Sequence, residues 1–127
     1  MKRLIIFLML LAPLVFQAQN SMDTITKALT EGDATTLSSY FAEEVDLLIL
    51  DDEDLYDKAE APQVVSDFFG TVKKGEYELK HEGVSKLNHQ YYIGDFKAEN
   101  GDEYRITIFM KSEGGAMEIS QLRIEEF

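Results

Sequence analysis

The chain has 127 residues and carries 12 Lys and Arg against 24 Asp and Glu, a formal net charge of −12, with no Cys and no Trp. The missing thiols exclude a disulfide scaffold, a thiol nucleophile and any Cys-ligated zinc or iron–sulfur site. The acidic balance argues against a phosphate-backbone partner, which needs clustered Lys and Arg.

Taken in chain order, the first segment reads as an export tag. Lys2 and Arg3 precede an unbroken apolar run over residues 4–16. A bilayer span takes roughly 20 such residues, so the run is too short for one and fits the apolar core of a secretory signal peptide. The expected cut follows Ala18, which leaves 109 residues at a net charge of −14. The expected organisation is therefore a signal peptide over residues 1–18 and one domain over residues 19–127. The mature protein is expected to be periplasmic or secreted, with no stable membrane insertion. Without cysteines, its fold must rest on an apolar core.

Asn20 or Ser21 offers a cap for a first helix whose face is Met22, Ile25, Ala28 and Leu29. Gly32 ends it, and Asp33 caps a second helix with the stripe Leu37, Tyr40, Phe41 and Val45. Residues 45–50, VDLLIL, read as a short buried strand. Asp51, Asp52, Glu53 and Asp54 follow as a polar turn. A third helix starts between Lys58 and Pro62, with proline tolerated only in the first turn. Val64, Val65, Phe68, Phe69 and Val72 form its core face, and Lys73 and Lys74 suit its negative end.

From Glu76 the period changes from 3.6 to 2. Tyr77, Leu79 and His81 share one phase, as do Tyr91, Ile93 and Asp95, then Tyr104, Ile106, Ile108 and Met110. Asn100-Gly101 and Gly114-Gly115 are hairpin turns. The last strand changes phase near Ser120 and Gln121, which predicts a β-bulge. Helices in front and strands behind give an α+β class. The expected shape is a bent, mostly antiparallel sheet over three N-terminal helices, a half-open cone.

Gly32-Asp33, Tyr40-Phe41, Tyr56-Asp57-Lys58-Ala59 and Phe68-Phe69 stand in that order along the chain. His81-Glu82-Gly83, Tyr92-Ile93-Gly94 and Leu122-Arg123-Ile124-Glu125 continue it. In order and spacing these motifs resemble an exported bacterial domain of unknown function, the family numbered 4783. That family lies within the nuclear transport factor 2-like, or cystatin-like cone, superfamily. Pro62 departs from the pattern and touches only the start of the third helix. The resemblance implies a fold and export and brings no activity, since this cone hosts isomerases, dehydratases and noncatalytic binders.

His81, in phase with Tyr77 and Leu79, is read as facing inward, where an imidazole suits a general base. Asp95 is the one inward acid beside it. The competing reading is a hydrogen-bonded structural histidine. His89 sits at a turn and is given no role. Residues 51–54 with Asp57 offer oxygen ligands for calcium but lack the glycine and distant glutamate of a calcium loop, and read as a solvated turn. No serine lies in a nucleophile elbow and no glycine-rich phosphate loop is present. No cofactor or metal is expected. Arg123 is read as pairing with a nearby carboxylate.

Tyr92, Phe96 and Phe109 fall in the opposite phase and are read as an aromatic outer face suited to homodimerisation. Tyr40, Phe41, Phe69, Tyr77, His81 and Tyr91 are read as lining an inner pocket for a small, mostly apolar ligand. Binding or interaction is therefore preferred to catalysis. The alternative is a proton-transfer enzyme of the isomerase or dehydratase type with His81 as base.

Overall fold

The computed structural model describes residues 14–113 and 115–127, with side chains from residue 21 onward except Glu113. Most of the expected signal peptide, residues 1–13, lies outside that set, as does Gly114 of the second hairpin turn. The next eighteen residues contain no Gly or Pro and fold as one helix, α1 (Leu14–Glu31). Its start precedes Asn20, so the expected cap at Asn20 or Ser21 is not the helix boundary. Met22, Ile25, Ala28 and Leu29 are buried as the periodicity requires.

Gly32 terminates α1 with φ of +67°, a conformation that costs glycine nothing. Asp33 then caps α2 (Ala34–Ser38), its carboxylate accepting from the Thr36 backbone N–H at 3.1 Å and the Thr36 hydroxyl at 2.7 Å. These hydrogen bonds to the ionised form hold the Asp33 carboxyl below its usual range. The second helix is one turn and not the long amphipathic segment expected. Ser39 donates its hydroxyl to the Thr36 carbonyl at 2.5 Å, competing with helix continuation. Phe41 and Val45, expected on that helix, instead lie on β1 (Phe41–Ile49) and are fully buried.

The acidic run expected as a turn is a strand, β2 (Asp52–Asp57), paired antiparallel with β1. The turn is shorter and centres on Leu50, at φ of +61°. Asp57 then caps the approach to α3 (Ala61–Val72), accepting from the backbone N–H groups of Ala59 and Glu60 at 3.0 and 2.8 Å. Pro62 sits in the first turn of α3, where its missing N–H is harmless. The adjacent Asp57 carboxylate raises the Glu60 carboxyl above its usual range.

Four strands follow: β3 (Gly75–Val84), β4 (Gln90–Ala98), β5 (Glu103–Glu113) and β6 (Ala116–Glu126). The sheet has six strands in the order β2-β1-β6-β5-β4-β3. All neighbours are antiparallel except β1 and β6, which run parallel. The α+β class and helix-on-sheet architecture hold, with the β1–β2 hairpin inserted between α2 and α3. The expected bulge is present: Phe109 pairs with Gln121 and Met110 with Ile119, leaving Ser120 as the extra residue. Ser120 donates its hydroxyl to the Phe109 carbonyl.

The register fixes which side chains share a face, because directly paired residues project the same way. Tyr92, Phe96 and Ala98 on β4 pair toward the buried Ile108 and Tyr104 of β5 and join the core. Tyr91, Ile93 and Asp95 lie on the other face. The expected phase of β4 is therefore inverted. Both phases of that strand carry aromatics, so apolar alternation does not discriminate between them, and the deciding residue is the small Gly94.

Candidate functional site

One groove opens between α3 and the β1–β2 hairpin, on the concave side of the sheet. Val64, Asp67, Phe68, Thr71 and Val72 come from one face of α3, spaced i, i+3, i+4, i+7 and i+8. Leu47 and Ile49 rise from alternate positions of β1, and Tyr56 stands opposite Val45 on β2. Tyr104 of β5 closes the floor, its ring edge-on to Phe68 with centroids 5.4 Å apart. The groove encloses about 580 Å3, within the range of small-molecule sites.

Its floor is apolar and its rim acidic. Leu47, Phe68, Val72 and Tyr104 are buried, while Asp51, Asp52 and Asp67 are exposed at the edge. No Lys or Arg is among its lining residues. Asp67 accepts from the Gln63 amide at 2.9 Å. Burial, aided by the Asp102 carboxylate, raises the Tyr104 phenol above its usual range, so the hydroxyl stays protonated.

The residues expected to line a pocket do not come together. Tyr40 lines a separate groove of about 560 Å3 with Ser21, Lys58, Met117 and Glu118. Phe41 is fully buried in β1. Phe69 is buried and touches a third depression with Gly32 and Lys73. Tyr77 packs inward over Gly94, its ring filling the space a side chain there would take. Tyr91 lies on the outer face beside Phe109, ring centroids 6.1 Å apart.

His81 is exposed and on the outer face, contrary to its expected phase. Leu79 pairs with Gly94 but His81 pairs with Ile93, so Lys80 is an extra residue that reverses the phase. Asp95 is also on the outer face, where its carboxylate lies 3.5 Å from Arg105 Nη2. The pair His81 and Asp95 thus stands outside the concave groove. Among the described residues no group of three or more His, Cys, Asp or Glu is placed to hold a metal. Arg123 does meet a carboxylate: its Nε lies 3.5 Å from Glu125 Oε1.

Of the groove's residues, sequence periodicity reveals Val64, Phe68 and Val72 but not what faces them. Asp52 and Tyr56 are hidden because an aspartate-rich run has low strand propensity. Pairing with β1 overrides that preference, and β2 is an edge strand, where charged side chains reach water.

The sequence matches the family described as Domain of unknown function (DUF4783) over residues 22–125. No curated protein matches. Among solved structures, a DUF4783 family protein from Bacteroides fragilis is 27% identical with a TM-score of 0.74, covering 82% of this chain and 96% of that one. One from Bacteroides ovatus is 25% identical, also at 0.74, with 82% and 93% covered. A Streptomyces avermitilis protein of the NTF2-like family is 13% identical with a TM-score of 0.66, covering 89% and 95%, a likeness of fold alone.

Proposed function

Because this chain belongs to the DUF4783 family, an NTF2-like domain that brings no assigned activity, we propose its role from its own surfaces. It is a noncatalytic binding module that holds a small, mostly apolar ligand in the groove between α3 and the β1–β2 hairpin. The observation that carries this reading is that groove, about 580 Å3 in volume, where half-buried Ile49, Tyr56 and Val64 and exposed Leu50 reach solvent above a buried apolar floor. A concavity of that size with a largely apolar lining and a few polar groups at its edge suits a small molecule. We also propose that the protein acts outside the cytoplasm, on the pattern of residues 1–18.

The enzymatic alternative is less favoured by the geometry. His81 and Asp95 occupy the outer face, so a substrate held on the groove floor has neither within reach.

The test is a groove-filling variant. Val64 is only half buried, so a larger side chain there can extend into the groove without displacing the core. Binding of the neutral fluorescent probe N-phenyl-1-naphthylamine to the unmodified protein is expected, and Val64→Trp is expected to weaken it at least tenfold. Melting temperature should change by only a few degrees. Undiminished binding in the variant overturns the groove as the site.

A second reading rests on a different observation. The outer face carries the Tyr91–Phe109 pair, half-buried Leu48 and Ile93, and Leu55 at 57% exposure, while the helices pack on the opposite face. A six-stranded sheet presents roughly 700 Å2 on one side, near the roughly 800 Å2 per partner of a stable dimer. A second copy of this chain is the proposed occupant. Phe109→Glu is then expected to convert a dimer to a monomer in light scattering. A monomer before substitution removes this reading.

A further inference from the structure

The groove's charge is more specific than its shape. Its accessible apolar lining is half-buried Ile49, Tyr56 and Val64 with exposed Leu50, over buried Leu47, Phe68 and Val72, and its rim holds three carboxylates and no cation. Yet no group of three metal-ligating side chains is found among the described residues. The rim carboxylates are therefore too widely spread to converge on a small ion. They make a broad negative border around an apolar trough. Such a border complements a charge that is itself carried on an apolar body.

We propose that the groove binds an amphiphilic organic cation, with its hydrocarbon on the α3–β1 floor and its ammonium at the Asp51, Asp52 and Asp67 rim. This rests on the groove being the ligand site. Each part has a physical role. Burying the hydrocarbon supplies most of the affinity, in proportion to the apolar area removed from water. The carboxylates supply selectivity, because they are exposed and pair with an ammonium without being desolvated first. Half-buried Tyr56 lines the same trough and adds to its apolar wall. An anionic amphiphile of the same length meets the same floor and a repulsive rim. The chain's net charge of −12 draws cations toward it before contact.

The experiment compares three probes of one length, octylammonium, 1-octanol and octanoate, each titrated below micelle formation. The readout is the amide shift of Val64, Phe68 and Tyr104 by NMR, which gives location and Kd together. One exposed ion pair is worth about 1.4- to 5-fold in affinity, so two engaged carboxylates give octylammonium about a tenfold advantage over 1-octanol. Octanoate should bind more weakly than the alcohol. D51N/D52N/D67N should reduce the ammonium advantage to about unity while leaving 1-octanol binding unchanged. The matched variant E76Q/E82Q/E118Q removes three carboxylates from β3 and β6, and should keep most of the advantage.

Equal affinity for octylammonium and 1-octanol, with shifts at Val64 and Phe68, overturns the cation inference and leaves the groove as a ligand site. Equal loss in the two triple variants also overturns it, because the preference then comes from the overall acidic field. Absence of shifts at all three reporter amides with every probe overturns the groove itself.

Discussion

Phe96→Ala is expected to destabilise the protein by about 3–5 kcal/mol, while Phe109→Ala on the neighbouring strand should cost much less. Both are phenylalanines in the central part of the sheet, and sequence periodicity assigns them to the same outer face. The structure separates them. Phe96 has no solvent exposure and meets the Phe69 ring edge-on at 6.4 Å, tying β4 to α3. Its ring tip also lies where any side chain at Gly75 would be, 2.8 Å from a Cβ built there. Truncation would leave a cavity walled by helix and sheet, with little freedom to collapse. Phe109 is half-buried on the open face, where the Tyr91 ring lies tilted against it. For a domain near 100 residues, the Phe96 loss corresponds to a fall of roughly 12–40 °C in melting temperature. Urea unfolding of the two alanine variants checks it. A larger cost for Phe109 than for Phe96 means that β4 presents its other face to the core.

That pair of residues also marks where sequence reasoning stops. The turns were legible because they depend on local chemistry: Gly32, Gly101 and Gly115 all take positive φ where a glycine signalled a break. The α3 face was legible because Val64, Phe68 and Val72 recur at helical spacing. The last strand was legible even in its irregularity at Ser120. What failed was non-local. Val45 reads equally well on a helix stripe and on a strand, and in the structure it pairs with Tyr56 of β2, within a strand that also runs parallel to β6 far along the chain. His81 keeps a regular alternation with Tyr77 and Leu79 in the sequence, yet one unpaired residue at Lys80 puts it on the other face. A bulge of this kind carries no composition signal, and it carries the proposed catalytic base away from the concave side.

The groove shows the same division. Its helix wall follows from periodicity alone. Its sheet wall exists because the acidic segment Asp52–Asp57 pairs with β1, which local propensity opposes. The acidic residues that looked like a solvated turn thus become one edge of the trough. They alternate along a strand, Asp52 and Tyr56 toward the concave side, Glu53 and Leu55 away from it. Part of the chain's surplus of carboxylates is thereby gathered on one border of the trough, at Asp51, Asp52 and Asp67.

Gly94→Ala is expected to destabilise by about 1–3 kcal/mol, although alanine is ordinarily the better strand residue. The reason is Tyr77, whose ring lies across Gly94 from the adjacent strand. A Cβ at position 94 would stand 2.6 Å from Tyr77 Cε1 and overlap Cζ and Oη as well. The ring cannot swing out freely, because its hydroxyl oxygen is buried. That oxygen has no hydrogen-bond partner among the described residues, and burial raises its pKa further above the ordinary phenol value. A mirror arrangement lies on the opposite face, where Tyr91 of β4 covers Gly83 of β3. Two tyrosine rings, each laid over a glycine of the other strand, hold the register of the edge strand β3 from both sides. The three atoms nearest to such a Cβ all belong to Tyr77, so the sign of the effect should depend on that ring. In a Tyr77→Ala background, Gly94→Ala should become neutral or mildly stabilising, because only the gain in backbone entropy remains. Denaturant unfolding of the four proteins in this cycle measures the coupling directly. A penalty at Gly94 that persists without the Tyr77 ring would place its origin in the backbone of β4 instead.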